Sequence, residues 1–321
     1  MPRPLNTTET ALNVDNLLPL ARQYSGPFWA YDAQVIQQRI AQLHAFDVVR
    51  FAQKACSNTH ILRLMHSAGV KVDSVSLGEI ERALVAGFQP DSDEIVFTAD
   101  VLDNPTLAGI AELKVPVNAG SVDMLHQLGA VSPGHAVWLR INPGLVTGTA
   151  KKPIPVAKTV STVSGPAICP LAQAAIEQYG LRLIGIHMHI GSGVDYAHLQ
   201  QVCDAMVDLV VEFGQDLEAI SAGGGLSIPY HYGEEAIDTD HYFGLWDAAR
   251  QRVADHLGHA VKLEIEPGRF LVAESGVLVS QVRAVKEMGS RHFVLVDAGF
   301  SDLMRPLHVR QLPSYLCDGG R

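Results

Sequence analysis

An α/β fold is predicted, a closed parallel (β/α)8 TIM-like barrel carrying an incomplete C-terminal antiparallel β domain, and three observations point to it. Between residues 32 and 270, eight short β-rich runs alternate with longer segments of helical period. That stretch has about 240 residues, close to the roughly 250 of one such barrel. After residue 270 the alternation stops, and two β-rich segments follow with no helix between them. An open doubly wound sheet is the competing reading of the alternation.

The elements follow in order. A helical segment at 32–44 leads into the run 47–52, Asp-Val-Val-Arg-Phe-Ala. Further runs lie at 70–75, 94–98, 115–118, 135–141, 182–190, 217–222 and 260–265. The segments at 58–68, 77–87, 104–113, 121–129, 171–179, 196–213 and 240–257 carry helical periodicity. The β-rich segments 276–287 and 291–298 flank Gly289 and Ser290, which suit a turn. Phe28-Trp29-Ala30-Tyr31 reads as a further strand of that late β unit. The expected division is 1–31, an N-terminal segment with one strand of the β domain; 32–270, the barrel; and 271–321, the start of a β domain that is cut short.

Two segments break the rhythm. Residues 145–170 hold four prolines and no acidic residue, with no period of 2 or 3.6. A loop of that length inside a compact domain is functional or disordered. Residues 307–321 are equally patternless and close on Gly-Gly-Arg.

Composition excludes several function classes. There are 24 basic and 34 acidic residues, a net charge of −10, which argues against a nucleic-acid binder driven by phosphate neutralisation. No run of 18 apolar residues is present, so no membrane span is expected. Cys56, Cys169, Cys203 and Cys317 form no Cys-x-x-Cys pair and suit neither a zinc site nor a disulfide framework. The N-terminus lacks the apolar run of a signal peptide, and a cytoplasmic protein is expected.

In a (β/α)8 barrel, chemistry collects at the C-terminal ends of the strands. Lys54 follows the first run; a partly desolvated lysine suits a Schiff base, although a lysine snorkelling from a strand end reads the same way. Asp73 ends the second run, and Arg140 and Asn142 end the fifth. His187 and His189 share one strand face; His-x-His suits a metal, a ring stacked on a flat cofactor, or hydrogen-bonded interior histidines. Gly223-Gly224-Gly225 after the seventh run is a phosphate cradle or a tight turn. Glu264 and Glu266 share a face of the eighth run, so one lies deeper than the other. A carboxylate at the mouth can keep a pyridine nitrogen protonated. Arg269 and Arg305 suit bidentate carboxylate binding or surface ion pairs. Together these are the parts of a pyridoxal-phosphate amino-acid enzyme.

The segments Phe51–Ser57 (Phe-Ala-Gln-Lys-Ala-Cys-Ser), Val72–Glu79, His187–Gly193, Ala222–Leu226 and Glu266–Arg269 closely resemble the diaminopimelate decarboxylase family, in its enterobacterial form. The likeness covers about 14–144 and 171–306. The family belongs with the alanine racemase-like, fold-type III decarboxylases. The resemblance implies pyridoxal 5′-phosphate carried by Lys54, with His189 stacked on its ring. It implies that Gly223, Gly224 and Gly225 hold the phosphate with Ser192 nearby, and that Glu266 faces the ring nitrogen. Asp73, Gly268 and Arg269 complete the cofactor set, and Arg269 and Arg305 bind a substrate carboxylate. No metal is implied. The implied reaction is decarboxylation of meso-2,6-diaminopimelate to L-lysine and CO2 by a homodimer. An ornithine or arginine decarboxylase of the same fold, or an inactive cofactor-binding fragment, are the alternatives. Residues 145–170 and 307–321 depart from the family abruptly, as reading-frame shifts would produce, and Cys317 comes too soon after Arg305 to match the family's later Cys motif. Weak turnover is expected of a chain lacking the second domain.

Overall fold

A computed structural model describes residues 11–142, 163–164, 169–189, 195–230 and 233–304. In chain order the main elements are α1 (Val14–Gln23), β1 (Phe28–Tyr31), α2 (Ala33–Ala41), β2 (Val48–Ala52), α3 (Thr59–Ser67), β3 (Lys71–Ser74), α4 (Leu77–Ala86) and β4 (Ile95–Thr98). They continue with α5 (Asn104–Leu113), β5 (Val117–Ala119), α6 (Val122–Val131), β6 (Ala136–Asn142), β7 (Val163–Ser164), α7 (Cys169–Tyr179), β8 (Arg182–Met188), α8 (Tyr196–Phe213) and β9 (Ala219–Ser221). The last are α9 (Thr239–Leu257), β10 (Lys262–Ile265), α10 (Arg269–Val272), β11 (Gly276–Val279), β12 (Val282–Met288) and β13 (Arg291–Val296).

The parallel strands run β5-β4-β3-β2-β10-β9-β8-β6, and β5 also pairs with β6 through Val117↔Val137 and Asn118↔Trp138. That last ladder closes the ring and removes the open-sheet alternative. The two-residue β7 adds beside the end of β6. Every residue of β4, β5 and β9 is buried, as strands covered on both faces must be. This explains why none of them shows an alternation of buried and exposed residues.

The turns leading into the helices are built by local capping chemistry. Ser76, Asp103, Ser121, Asp195 and Asp238 each accept a backbone N–H of the helix they open. Glu79 completes the cap of α4 by accepting the Val75 N–H at 2.8 Å. Gly87, Gly214 and Gly258 close α4, α8 and α9 in the left-handed conformation. Ser76 and Ser121 stand two residues past the ends of β3 and β5, whereas Asp238 opens α9 well beyond the end of β9.

Two compact units are distinguished. One comprises residues 39–227 and 237–271 and holds the barrel. The other comprises 1–38, 228–236 and 272–321. In the second, β1 pairs antiparallel with β11, from Phe28↔Val279 to Tyr31↔Gly276, so the early aromatic run does join a late β element. β12 and β13 form a hairpin turned at Gly289, whose φ of +60° favours glycine. α1 was not anticipated, because Pro19 sits inside it. α7 begins at Cys169 rather than 171, with Pro170 in its first turn, where a missing N–H breaks no helical bond.

Candidate active site

Lys54 sits in the single turn Gln53–Ala55 immediately after β2, with its side chain exposed. The turn is held from two sides. Gln53 is buried and donates through Nε2 to Ser74 Oγ at 2.5 Å. The Ala52 N–H donates to Pro267 O at 3.1 Å, which brings the Glu266–Arg269 segment against the Lys54 turn. The approach is close at Gly268, where an added Cβ would lie 3.2 Å from Ala55 Cβ and 3.3 Å from Ala52 O. Arg269 is half-buried and opens α10.

Asp73 on β3 is buried. Burial, reinforced by the Glu266 charge, raises its pKa to about 7, against the opposing pull of Lys54 and a Thr98 hydrogen bond. At neutral pH this carboxyl is poised between its two forms.

Glu264 and Glu266 do share a face, and the structure separates their roles. Glu264 is held by Arg50 of β2, with Nε to Oε2 at 2.6 Å and Nη2 to Oε1 at 3.2 Å. Arg50 also donates through Nη1 to Asp93 O at 2.6 Å. Glu266 lies beyond it and accepts from His187 Nε2 at 2.6 Å through Oε2. Burial alone would raise the Glu266 pKa. The charge and hydrogen bond of His187, with Arg50 and His189, outweigh burial and bring the pKa down to about 2.

His189 follows β8. Its Nδ1 accepts the Gly224 N–H at 3.1 Å, so in the neutral ring the proton sits on Nε2. Burial first, then the charges of His187 and Arg140, lower its pKa to about 4. The ring is therefore neutral at pH 7. The two histidines thus serve different partners, a carboxylate and a backbone N–H.

The glycine run is tightly wedged. A Cβ at Gly223 (φ +60°) would stand 2.3 Å from Met188 O, and one at Gly224 would stand 2.6 Å from Glu266 O. Glu266 N–H in turn donates to Gly223 O at 2.8 Å. Two of the three N–H groups have protein partners: Gly223 donates to Ser221 Oγ at 3.2 Å and Gly224 to His189.

The interior beneath the mouth is polar and incompletely satisfied. Gln53 Oε1, Asp73 Oδ1, Asn118 Oδ1 and His187 Nδ1 are buried with no hydrogen-bond partner among the described residues. Such atoms are unusual in a native interior and mark a place where a polar ligand or water completes the set. Of the residues singled out in the sequence, Lys54, Asp73, His189, Gly223, Gly224, Gly225, Glu266, Gly268 and Arg269 all lie at the C-terminal ends of barrel strands. Arg140 lies two residues before the end of β6, its Nη1 3.9 Å from Asp100 Oδ1, and Asn142 ends the strand. Ser192, Arg305, Cys317 and most of 145–170 lie outside the described residues. Sequence reasoning missed the Arg50–Glu264 and His187–Glu266 partnerships; the i, i+2 spacing of the two glutamates was the available signal.

Comparison with known proteins supplies the family. Residues 32–273 match the pyridoxal-dependent decarboxylase family, pyridoxal binding domain. A diaminopimelate decarboxylase of Escherichia coli strain K12 is 65% identical over 308 residues, covering 95% of this chain and 73% of the relative. A crystal structure of a diaminopimelate decarboxylase superposes with a TM-score of 0.92 at 64% identity, covering 97% of this chain and 74% of that one. The diaminopimelate decarboxylase of Helicobacter pylori, complexed with L-lysine, gives a TM-score of 0.77 at 29% identity, covering 93% and 77%.

Proposed function

The chain belongs to the diaminopimelate decarboxylase family of pyridoxal-dependent decarboxylases, and from that premise we propose that its barrel mouth converts meso-2,6-diaminopimelate to L-lysine and CO2. The observation that carries this reading is the convergence of Lys54, His189, the glycine run and Glu266 at one end of the barrel, in a chain 65% identical to such an enzyme.

The residues present fit pyridoxal phosphate. The backbone of Gly223 and Gly224 approaches Met188 O and Glu266 O so closely that side chains are excluded, and buried polar atoms nearby lack partners among the described residues. Lys54 would hold the cofactor covalently and His189 its ring face. Glu266 would hold its ring nitrogen and the Gly223–Gly225 run its phosphate, with Asp73 and Gly268 completing the cofactor set. When bound, the cofactor supplies an electron sink for the pair left at Cα as CO2 departs.

The protein's own contributions follow from their charge states. Glu266, ionised down to about pH 2, favours a proton on whatever nitrogen faces it. His189, neutral above about pH 4, offers a flat face without adding a cation. Arg269 gives a guanidinium for a substrate carboxylate. Overall one C–C bond breaks and one proton replaces CO2 at Cα. A homodimer in the cytoplasm accords with the family resemblance, and the cytoplasm accords with Cys169 and Cys203 being free thiols. Among the described residues no helix is long and apolar enough to cross a membrane.

The test is CO2 release from meso-diaminopimelate, ornithine and arginine by protein supplied with pyridoxal phosphate. The expected result is release from the first substrate, lost in Lys54→Ala together with the visible absorbance of bound cofactor. Preferential release from ornithine or arginine overturns the substrate assignment.

A further inference from the structure

We infer that His187 is a positioning residue for Glu266, its Nε2–H holding Oε2 and so fixing how the carboxylate meets the ring nitrogen of a pyridine cofactor. The inference rests on the cofactor reading above and adds a residue to it.

Three observations carry it. The His187–Glu266 contact is short, 2.6 Å, and its two side chains are only 2% and 8% exposed. It also joins strands that are not neighbours in the ring, because β9 lies between β8 and β10. Finally, Glu266 is fixed at both ends, its backbone N–H by Gly223 O and its carboxylate by His187. A carboxylate free to rotate would satisfy itself in several ways; this one has a defined orientation.

The alternative is that His187 merely neutralises a buried acid. Arg50 shows what that looks like in the same barrel, since its guanidinium meets both oxygens of Glu264. His187 meets one oxygen of Glu266, and a carboxylate accepts through both. Accepting capacity therefore remains at Oε1. The charged groups that also act on Glu266 and its neighbour Asp73 are Arg50, His189 and Lys54. Among the described residues none of these donates to the Glu266 carboxylate, which accepts from His187.

The test compares binding of pyridoxal phosphate with binding of its 1-deaza analogue, which carries C–H in place of the ring nitrogen. Affinities are read by spectral titration of the apoprotein, with no turnover required. The wild-type chain is expected to prefer the natural cofactor by about tenfold, as one charge-assisted hydrogen bond predicts. His187→Leu is expected to weaken the natural cofactor alone, bringing the ratio near one. His187→Gln, whose amide N–H reaches the position of Nε2, is expected to keep the preference. A purely structural role would lower both affinities together and leave the ratio unchanged. If His187→Leu fails to fold by circular dichroism, His187→Asn, too short to reach Oε2, takes its place. A wild-type preference that survives in His187→Leu or His187→Asn overturns the inference alone, as does a preference lost equally in His187→Gln. A wild-type chain that binds neither compound overturns the cofactor reading and the inference with it.

Discussion

Glu264 and Glu266 stand two residues apart at the end of one strand, yet their surroundings differ in kind. Around Glu264 the donors are complete: a guanidinium covers both oxygens and its remaining reach is taken up by Asp93 O. Around Glu266, among the described residues, one bond is made, and neighbouring polar atoms on Asp73 and His187 have no partner. The first arrangement is closed and supports the barrel. The second is open, as a site for a polar ligand must be, and it leaves stability unrealised until that ligand arrives.

The contrast is tested most severely at Arg50. Removing it in Arg50→Met leaves Glu264 buried and unpaired, and should destabilise the chain by about 3–5 kcal/mol in chemical denaturation. A smaller loss there than in His187→Leu would reverse the division between supporting and open arrangements.

The open region should also respond to pH in two directions. The folded-state pKa of Asp73 is raised from 3.8 to about 7, so between those values the folded chain keeps a proton the unfolded chain has released. Its stabilising share is full below about pH 4 and is lost as pH rises to 7. Asp73→Asn should therefore match the wild type near pH 4 and exceed it at pH 8, by up to about 4 kcal/mol. Glu266 has the opposite sign: its pKa falls from 4.5 to about 2, so its share is present above pH 4.5 and lost as pH falls toward 2. Thermal melts of Asp73→Asn and Glu266→Gln across pH 3–8 resolve the two; parallel profiles would remove the distinction.

At the glycine run the expected effect is smaller on stability and larger on binding. Gly224→Ala places a methyl 2.6 Å from Glu266 O, a backbone atom that cannot swing aside. A loss of about 1–3 kcal/mol is expected, with pyridoxal phosphate affinity lowered at least about tenfold in spectral titration. Unchanged affinity would detach the glycine run from the site. The least effect belongs to Arg182–Glu218, an exposed ion pair. Arg182→Ala should change stability by less than about 1 kcal/mol, a baseline for the buried pairs.

The barrel was legible in the sequence because its signals are local. The strands are short β-rich runs, and helices such as α4 and α5 announce themselves by a cap, Ser76 or Asp103, and a period of 3.6. The eight strands and eight helices read from the sequence all appear, with ends moved by a few residues. α1 escaped because Pro19 contradicts the local rule. At the site, strand-end position was enough to single out Lys54, Asp73, His189 and Glu266. Their partnerships were not legible. Arg50 and Glu264 are 214 residues apart, and His187 and Glu266 are 79 apart. Those distances are closed only by the ring of strands, whose register no local pattern states. The His-x-His spacing was equally silent on whether both rings face one ligand; the structure turns one to a carboxylate and the other to a backbone N–H.

The ladder between β1 and β11 has a consequence for how the chain is made. Tyr31 waits for Gly276, roughly 245 residues later, before its strand has a partner. At about 5–20 residues per second, a ribosome takes roughly 12–50 s to deliver that partner. For that interval Phe28-Trp29-Ala30-Tyr31 is an aromatic strand with both edges unsatisfied, emerging ahead of every barrel strand. The nascent chain therefore carries an unpaired aromatic edge ahead of its barrel strands, where chaperones or neighbouring ribosomes' products can meet it.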